Sequence, residues 1–302
     1  MIAVITSMAS RLRSRASRVA SLLVALALLA PAEAQGQQRP GPPAQQGPRL
    51  DYEAVLYSQP RLIDEVLGGI LPSDRTTPST YFVGFSAWSE QDVFIREIAQ
   101  ARDIVDERLG TRNRSLLLVN HVMAVAEVPL ASVTNLDIVL GRLAGIMDVE
   151  KDTLILFLTS HGIENLFGVR FPGFPLNDLT PPRLAQILDR SGIRNRIIII
   201  SACHSGSFIP ALRGPTTLIM TAARADRASF GCSNESDWTF FGNALFNHAL
   251  RSTTSLPQAF AAAGRLITAW ESKERFQPSE PQIFTGERVG PIIERLAALA
   301  RP

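Results

Sequence analysis

Two apolar runs of similar construction stand out in the pattern of hydrophobic and polar positions. Residues 154–159 read LILFLT and residues 197–200 read IIII, and small and polar residues follow each run. Runs of this length and composition predict strands that are buried on both faces. His161 comes just after the first run and Cys203 just after the second. If the two strands are parallel neighbours, both residues lie at the carboxyl edge of one sheet, where open α/β folds bind their ligands.

The rest of the chain alternates between strand and helix patterns. We predict further strands at residues 81–85, 115–119 and 217–221, with an extended edge segment at 278–286. Apolar residues at helical spacing predict helices at 92–109, 133–147, 181–190, 241–250, 255–271 and 292–299. Residues 51–71 form a helical or irregular lead-in, and a small hairpin is expected around residues 172–175. This alternation predicts one α/β domain at 51–302, with a mostly parallel sheet and helices on both faces.

The first 50 residues predict an exported protein, either periplasmic or secreted. Four arginines precede an apolar segment at 22–30, and Ala32-Glu33-Ala34 matches the small-x-small pattern that signal peptidase accepts. We therefore predict a signal peptide at 1–34, with an uncleaved signal anchor as the alternative. The apolar segment is about ten residues long and too short for a comfortable bilayer span, so no stable membrane span is expected after cleavage. Residues 35–50, rich in Gln, Pro and Gly, predict a disordered linker.

Composition and charge narrow the class of protein. The 302 residues are 46% hydrophobic and 19% charged, which is typical of a globular chain with a large core. The formal net charge is only +2 and much of the basic excess lies in the first residues, so we expect no nucleic-acid partner. The four histidines and two cysteines show no metal-ligand spacing, and His121 and His248 have no cluster around them. We therefore expect neither a metal nor another cofactor.

Cys203 and His161 are the candidate reactive pair. An imidazole beside a thiol can accept its proton and produce the thiolate, which is the nucleophilic form of cysteine. The alternatives are a buried, inert thiol, a structural histidine, and a disulfide between Cys203 and Cys232 in an oxidising compartment. His204 is a poor base because adjacent residues on a turn usually point apart. Ser205 lacks the Gly-x-Ser-x-Gly context of an α/β-hydrolase serine.

Three segments carry a resemblance to a known family. They are Ser160-His161-Gly162, Ser201-Ala202-Cys203 with Ser205-Gly206, and Thr221-Ala222-Ala223-Arg224-Ala225-Asp226-Arg227. Through these segments, residues 81–286 resemble the legumain family of cysteine peptidases, most closely its bacterial branch, which shares a fold clan with the caspases. The family often has Asp before the His-Gly pair and an acidic residue after the cysteine, where this chain has Ser160 and His204. These departures change the surroundings of the reactive pair and not the pair itself.

The resemblance implies a caspase-like three-layer sandwich and a Cys/His dyad that cleaves peptide bonds. Cys203 would attack the scissile carbonyl and form a thioester acyl-enzyme, and His161 would protonate the leaving amine. The backbone N–H groups of Gly162 and Cys203 would form the oxyanion hole. The resemblance thus indicates an exported cysteine endopeptidase with a protein or peptide substrate. The alternatives are a transpeptidase or ligase with the same dyad, and a non-catalytic caspase-like module that binds peptides.

The resemblance also suggests where a substrate side chain would bind. It places Glu90 and Asp92 in the neighbourhood of the family's substrate pocket, and Asn243 near the position of an aspartate of that pocket. A carboxylate such as that of Asp92 would favour a basic substrate side chain by charge pairing. The alternative is that Asp92 only N-caps the helix that it precedes.

Overall fold

One mixed sheet forms the centre of the computed structural model, which describes residues 50–299. The strands in this range are β1 Thr80–Ser86, β2 Ser115–Val119, β3 Thr153–Thr159, β4 Gly162–Ile163, β5 Leu166–Phe167, β6 Asn195–Ser201, β7 Thr217–Thr221 and β8 Gln282–Thr285. Six of them form a sheet in the order β2-β1-β3-β6-β7-β8. All neighbours in this sheet are parallel except β8, which pairs antiparallel to β7 at one edge. Strands β4 and β5 form a separate hairpin.

Helices connect the strands. They are α1 Tyr52–Gly68, α2 Asp92–Arg108, α3 Val133–Ile146, α4 Pro181–Ser191, α5 Ile209–Leu212, α6 Phe240–Gly242, α7 Leu250–Ser252, α8 Leu256–Glu274 and α9 Gly290–Leu299. A 3₁₀ turn, Ser205–Phe208, leads into α5, and a π-helical segment, Asn243–Ala249, joins α6 to α7. None of the helices within residues 50–299 has the length and apolar character needed to cross a bilayer.

Successive residues of each central strand pack against different helical layers. In β3, Leu156 and Leu158 face a layer that contains α1, α3 and α4, whereas Ile155 and Phe157 face α2, α8 and α9. Both faces are therefore buried, which is why these strands are continuous apolar runs rather than alternating ones. The α/β sandwich of three layers that the sequence predicts is confirmed.

The register of β3 on β6 sets the geometry of the sheet edge. These two strands are parallel neighbours, and Thr159 at the end of β3 pairs with Ser201 at the end of β6. His161 and Cys203 each follow two residues later in the sequence. The two chemically interesting residues therefore leave the sheet at the same level, from adjacent strands.

Most of the predicted strands and helices are confirmed to within a few residues, and the lead-in is the helix α1. The small hairpin expected around residues 172–175 is present as a single antiparallel bridge, in which Phe171 pairs with Phe174 across the turn at Pro172-Gly173. A second hairpin, which the sequence did not predict, lies at residues 162–167 immediately after His161. Strands of two residues are too short to produce a readable period-two pattern. The predicted signal peptide at 1–34 and nearly all of the predicted linker at 35–50 lie outside the described residues.

Phe157 provides a test of the packing beneath this edge. Its side chain is fully buried, and its ring lies 4.6 Å from that of Phe246 between centroids. We expect Phe157→Ala to lower the free energy of unfolding by about 3–5 kcal/mol, because a large buried ring is replaced by a cavity. Urea denaturation measures this change. The control Ile138→Ala, at a 42% exposed helical position, should stay within about 0.5 kcal/mol of the unsubstituted protein; equal effects of the two changes would contradict the packing described.

Candidate active site

The His161 ring is held between aromatic rings and a glutamine. Trp88 and Phe94 meet it edge-on, with centroid distances of 4.8 and 5.2 Å. Its Nε2 lies 2.6 Å from Oε1 of Gln91. An amide oxygen only accepts hydrogen bonds, so Nε2 carries the hydrogen in this arrangement and Nδ1 keeps its lone pair. Nδ1 is therefore the nitrogen that can accept a proton.

The surroundings of His161 favour its neutral form. Burial of the imidazole lowers its pKa below the ordinary value, and the nearby negative charge of Glu90 opposes this effect. A neutral imidazole near neutral pH can act as a base.

The thiol of Cys203 contacts the loop that follows β7. The Ser229 N–H donates to Sγ at 3.2 Å, Sγ lies 3.4 Å from the Ser229 carbonyl oxygen, and the Ser229 hydroxyl is 3.7 Å away. The side chain is half-buried. A backbone N–H aimed at sulfur would stabilise a thiolate in the same place. Within residues 50–299, no hydrogen bond joins Sγ to the His161 ring.

Two backbone N–H groups lie at the junction between the strands. Gly162 approaches the Cys203 carbonyl so closely that a Cβ at position 162 would lie 2.7 Å from that oxygen. The Gly168 N–H donates to the His161 carbonyl at 2.9 Å, so His161 and Gly168 are a hydrogen-bonded pair of the hairpin. Hydrogen-bonded and non-hydrogen-bonded pairs alternate in an antiparallel ladder, and the next pair, Gly162 and Phe167, is therefore a non-hydrogen-bonded one. The hairpin ladder thus makes no use of the Gly162 N–H. The Cys203 N–H likewise makes no backbone hydrogen bond in the described part of the chain.

His204 is turned away from the thiol. It adopts a left-handed backbone conformation with φ of 56°, its N–H donates to the Arg227 carbonyl at 2.7 Å, and Nδ1 lies 2.9 Å from the Ala225 carbonyl oxygen. The N–H of Gly206 donates to Ala223 at 2.9 Å. These contacts fasten the turn after Cys203 to residues 223–227, the segment that contributes to the family resemblance.

Cys232 is a second free thiol in the same region. Neither cysteine is in a disulfide in the structure. Burial raises the pKa of the Cys232 thiol, and the charge of Cys203 raises it further. Cys203 and Cys232 are therefore two separate thiols in one region.

The residues predicted to line a substrate pocket are divided between two places. Glu90 and Asp92 lie on either side of Gln91 in the sequence, next to the His161 contact. Asp92 contacts His121, with 3.1 Å between Oδ1 and Nε2, and forms an ion pair with Arg96 at 3.6 Å.

The N-cap alternative for Asp92 is wrong by one residue, because α2 begins at Asp92 and Gln91 is its N-cap. Asn243 begins the π-helical segment. Its N–H donates to the Thr239 carbonyl at 2.9 Å and its side chain accepts from Asn247 at 2.9 Å. These hydrogen bonds do not connect Asn243 to His161 or Cys203.

The sequence patterns did not predict three residues that lie at the site or directly beneath it. Gln91 and Ser229 are polar loop or cap residues, and no local pattern distinguishes them from solvated neighbours. Glu97 left a signal, because a charged residue interrupts the apolar stripe of α2 between Phe94 and Ile98. A lone acidic residue on the buried face of a helix indicates a special environment.

No group of three or more His, Cys, Asp or Glu side chains suited to a metal ion occurs within residues 50–299. Cavities of about 440 and 580 Å³ open elsewhere on the domain, and neither is lined by His161 or Cys203.

The charge of Glu90 makes a testable contribution to the titration of His161. We expect Glu90→Gln to lower the pKa of His161 further, because it removes the negative charge that favours the imidazolium. NMR titration of the imidazole measures the change. Glu107→Gln, near the other end of α2, is the matched control and should leave the pKa of His161 unchanged. An unchanged or raised pKa in Glu90→Gln would show that Glu90 does not act on this ring.

The chain is similar to one known protein family and to solved structures. The model of the Peptidase C13 family matches residues 125–290, more than half of the chain and a range that contains both His161 and Cys203. Among solved structures, the chain is similar to caspase-1 from Spodoptera frugiperda, with 14% sequence identity and a TM-score of 0.49. That similarity covers 72% of this chain and 93% of the caspase chain. No curated protein matches the chain.

The family match extends over the end of β3, the end of β6 and the loop that contacts the thiol. It begins after the segment that carries Gln91 and Glu97, so those contacts are features of this chain outside the matched range. The expected family is confirmed, and the likeness to its bacterial branch stays a prediction: the chain belongs to the Peptidase C13 family, the legumain-type cysteine peptidases.

Proposed function

We propose that this protein is an exported cysteine endopeptidase that hydrolyses peptide bonds with a dyad of Cys203 and His161. The main support is the register at the sheet edge, where both residues follow the paired Thr159 and Ser201 by two positions. The lone pair on Nδ1 and the N–H donor beside Sγ supply the base and the thiolate environment. Family membership supports the reaction class. Export rests on the sequence pattern of residues 1–34.

The reaction begins with transfer of the Cys203 proton to Nδ1 of His161. The sulfur then bonds to the scissile carbonyl carbon, and the carbonyl electrons move to the oxygen, which accepts hydrogen bonds from the N–H groups of Gly162 and Cys203. The imidazolium gives its proton to the leaving amine as the C–N bond breaks, and a thioester remains. Water, deprotonated by His161, attacks the thioester and releases the acid and the thiol.

The resting arrangement is compatible with this sequence of steps. Sγ and the imidazole are each held by another partner, Ser229 and Gln91, and catalytic hydrogen bonds commonly tighten only when substrate is bound. Gln91 fixes the ring so that Nδ1 is available, which costs nothing during the reaction because the contact exists beforehand. Loss of a single oxyanion donor typically slows such reactions by about 10²–10³.

Two other functions use parts of the same site. A transpeptidase or ligase would form the same thioester and pass it to an amine instead of water, so product analysis with added amine acceptor distinguishes it. A peptide-binding module needs neither the nucleophile nor the base. The presence of both groups at one edge, with Nδ1 accessible to a proton, favours an enzyme.

Substitution of the two dyad residues tests the proposal directly. We expect Cys203→Ala and His161→Ala each to reduce peptide hydrolysis to background, because the first removes the nucleophile and the second the base. Circular dichroism should show that both variants remain folded. Cys232→Ala and His248→Ala are the matched controls and should retain activity. Iodoacetamide should label Cys203 stoichiometrically, and more slowly in His161→Ala. A folded, active protein with an unreactive Cys203, or one bridged to Cys232, would rule the dyad out.

The charge near the site leads to a prediction about specificity. We expect peptides with Lys or Arg before the scissile bond to have higher kcat/KM than neutral peptides, since Glu90 and Asp92 flank Gln91, whose side chain contacts the His161 ring. Asp92→Asn should reduce this preference and leave neutral peptides unaffected, with Asp237→Asn as the control for a nearby acid. Equal cleavage of basic and neutral peptides would count against a role for either carboxylate.

A further inference from the structure

A buried carboxyl lies directly beneath the candidate dyad. Glu97 on α2 is fully buried. Its Oε2 accepts a hydrogen bond from the Thr159 hydroxyl, and its Oε1 accepts from the N–H and the hydroxyl of Thr239, at 3.2 and 2.6 Å. The Thr239 oxygen lies 2.9 Å from the Ser201 hydroxyl. One carboxyl thus connects the end of β3, the end of β6 and the start of α6.

The direction of the strands explains why these partners meet. Thr159 continues the row of Ile155 and Phe157 that faces α2, and Ser201 continues the corresponding row of β6. By the same alternation, His161 and Cys203 leave the strands on the side of α2. The hydroxyls that contact the Glu97 cluster are therefore each two residues from a dyad residue.

The packing leaves room for this carboxyl and for little else. A Cβ at Gly242 would lie 1.8 Å from Oε1 of Glu97, so only glycine fits at that position. The Gly242 N–H donates to the Thr239 oxygen at 3.0 Å. Thr239 also lies directly after the segment 224–238, which contains Ser229, whose N–H donates to the Cys203 sulfur. Displacement of Glu97 would therefore affect the chain near His161 and the chain near Cys203 together.

We propose that Glu97 is a positioning residue, whose ionised carboxylate holds the ends of β3 and β6 and the start of α6 in the arrangement that the Cys203–His161 reaction requires. This inference rests on the proposed function. The ionised carboxylate accepts from all three donors at once. A protonated carboxyl must donate its own hydrogen, and one of the three contacts then has to rearrange.

Burial makes the charge of this carboxyl costly, and the hydroxyls around it offset part of that cost. Burial raises the pKa of Glu97 to about 7, although the hydrogen bonds from Thr159 and Thr239 oppose the shift. Thr159 of β3 and Thr239, the N-cap of α6, present hydroxyls to it, the Ser201 hydroxyl of β6 contacts that of Thr239, and Gly242 of α6 packs against it. Cys232 is the titratable neighbour on the loop, and the charge of Glu97 contributes to the raised pKa of that thiol after burial and Cys203. On α2 itself, Arg96 pairs with Asp92 and Asp237 at the surface.

Activity and stability should therefore depend on pH in opposite directions. Activity should rise near pH 7 as Glu97 ionises. This rise should occur at a higher pH than the one caused by deprotonation of His161, because the pKa of His161 is lowered. The folded-state pKa of Glu97 exceeds its unfolded value of 4.5, so the folded protein holds the proton more tightly between these values. Its contribution to stability is complete below about pH 4.5 and is lost as pH rises through about 7.

Glu97→Gln tests the proposal because it keeps the shape and removes the charge. We expect kcat for peptide hydrolysis at pH 8 to fall by about 10- to 100-fold, because small displacements of reacting groups have effects of that size. The activity step near pH 7 should disappear. The thermal midpoint of the variant should fall less than that of the unsubstituted protein between pH 5 and pH 8. Glu97→Asp, which keeps a carboxyl, should recover part of kcat and the activity step.

Glu271→Gln is the matched control. Glu271 is also buried and accepts from the Ser279 N–H at 3.1 Å, and its hydrogen bonds do not involve β3, β6 or α6. It should leave the activity step in place. Unchanged kcat and pH profile in Glu97→Gln would overturn the proposal. So would equal losses of activity and stability at every pH, because these indicate a structural role alone.

Two further measurements keep the test decisive. If Glu97→Gln does not fold, Thr159→Val removes one donor to the carboxylate, and the activity step should move to higher pH; an unmoved step overturns the proposal.

If the unsubstituted protein cleaves no peptide, the peptidase proposal fails by itself. The rate of Cys203 alkylation against pH, read on its own peptide by mass spectrometry, then serves as the readout, and a profile identical in Glu97→Gln overturns the positioning role.

Discussion

The parallel pairing of β3 with β6 is the interaction on which the site depends. Backbone hydrogen bonds place Thr159 opposite Ser201, and no other contact is needed to bring the chain that follows each strand to the same level. A shift of one residue in this register would turn either His161 or Cys203 to the other face of the sheet. The apolar residues on both faces make such a shift costly, because every buried side chain of the strand would move with it. Core packing therefore maintains the alignment of the thiol and the imidazole.

The sheet brings the thiol and the imidazole to one edge, and residues in loops and at helix ends contact them there. Gln91 binds one nitrogen of the imidazole, Ser229 donates to the sulfur, and Gly162 lies against the Cys203 carbonyl. Each contact comes from a different connection at the carboxyl edge. This division is common in α/β enzymes, where a rigid sheet supports variable loops that carry the chemistry.

Charges near this edge occur at two depths. Glu90 is exposed and acts on His161 through its field, whereas Glu97 is buried and hydrogen-bonded directly to β3 and, through Thr239, to β6. The buried carboxyl carries the larger energetic cost, since water cannot solvate its ionised form. A cost of that kind at the centre of a site is typical of groups retained for function rather than for stability.

The sequence by itself determined the alternation of strands and helices, the burial of the central strands and the choice of His161 and Cys203 as the candidate pair, because apolar periodicity and a polar residue at a strand end are local patterns. It placed His161 and Cys203 correctly on neighbouring strands, since a parallel sheet has one carboxyl edge. Only the tertiary structure decided the hairpin at 162–167, the N-cap at Gln91 and the partners of Glu97. Thr239 lies 142 residues from Glu97 in the sequence. Contacts of that separation depend on how the chain folds back on itself, and no local pattern of residues records them.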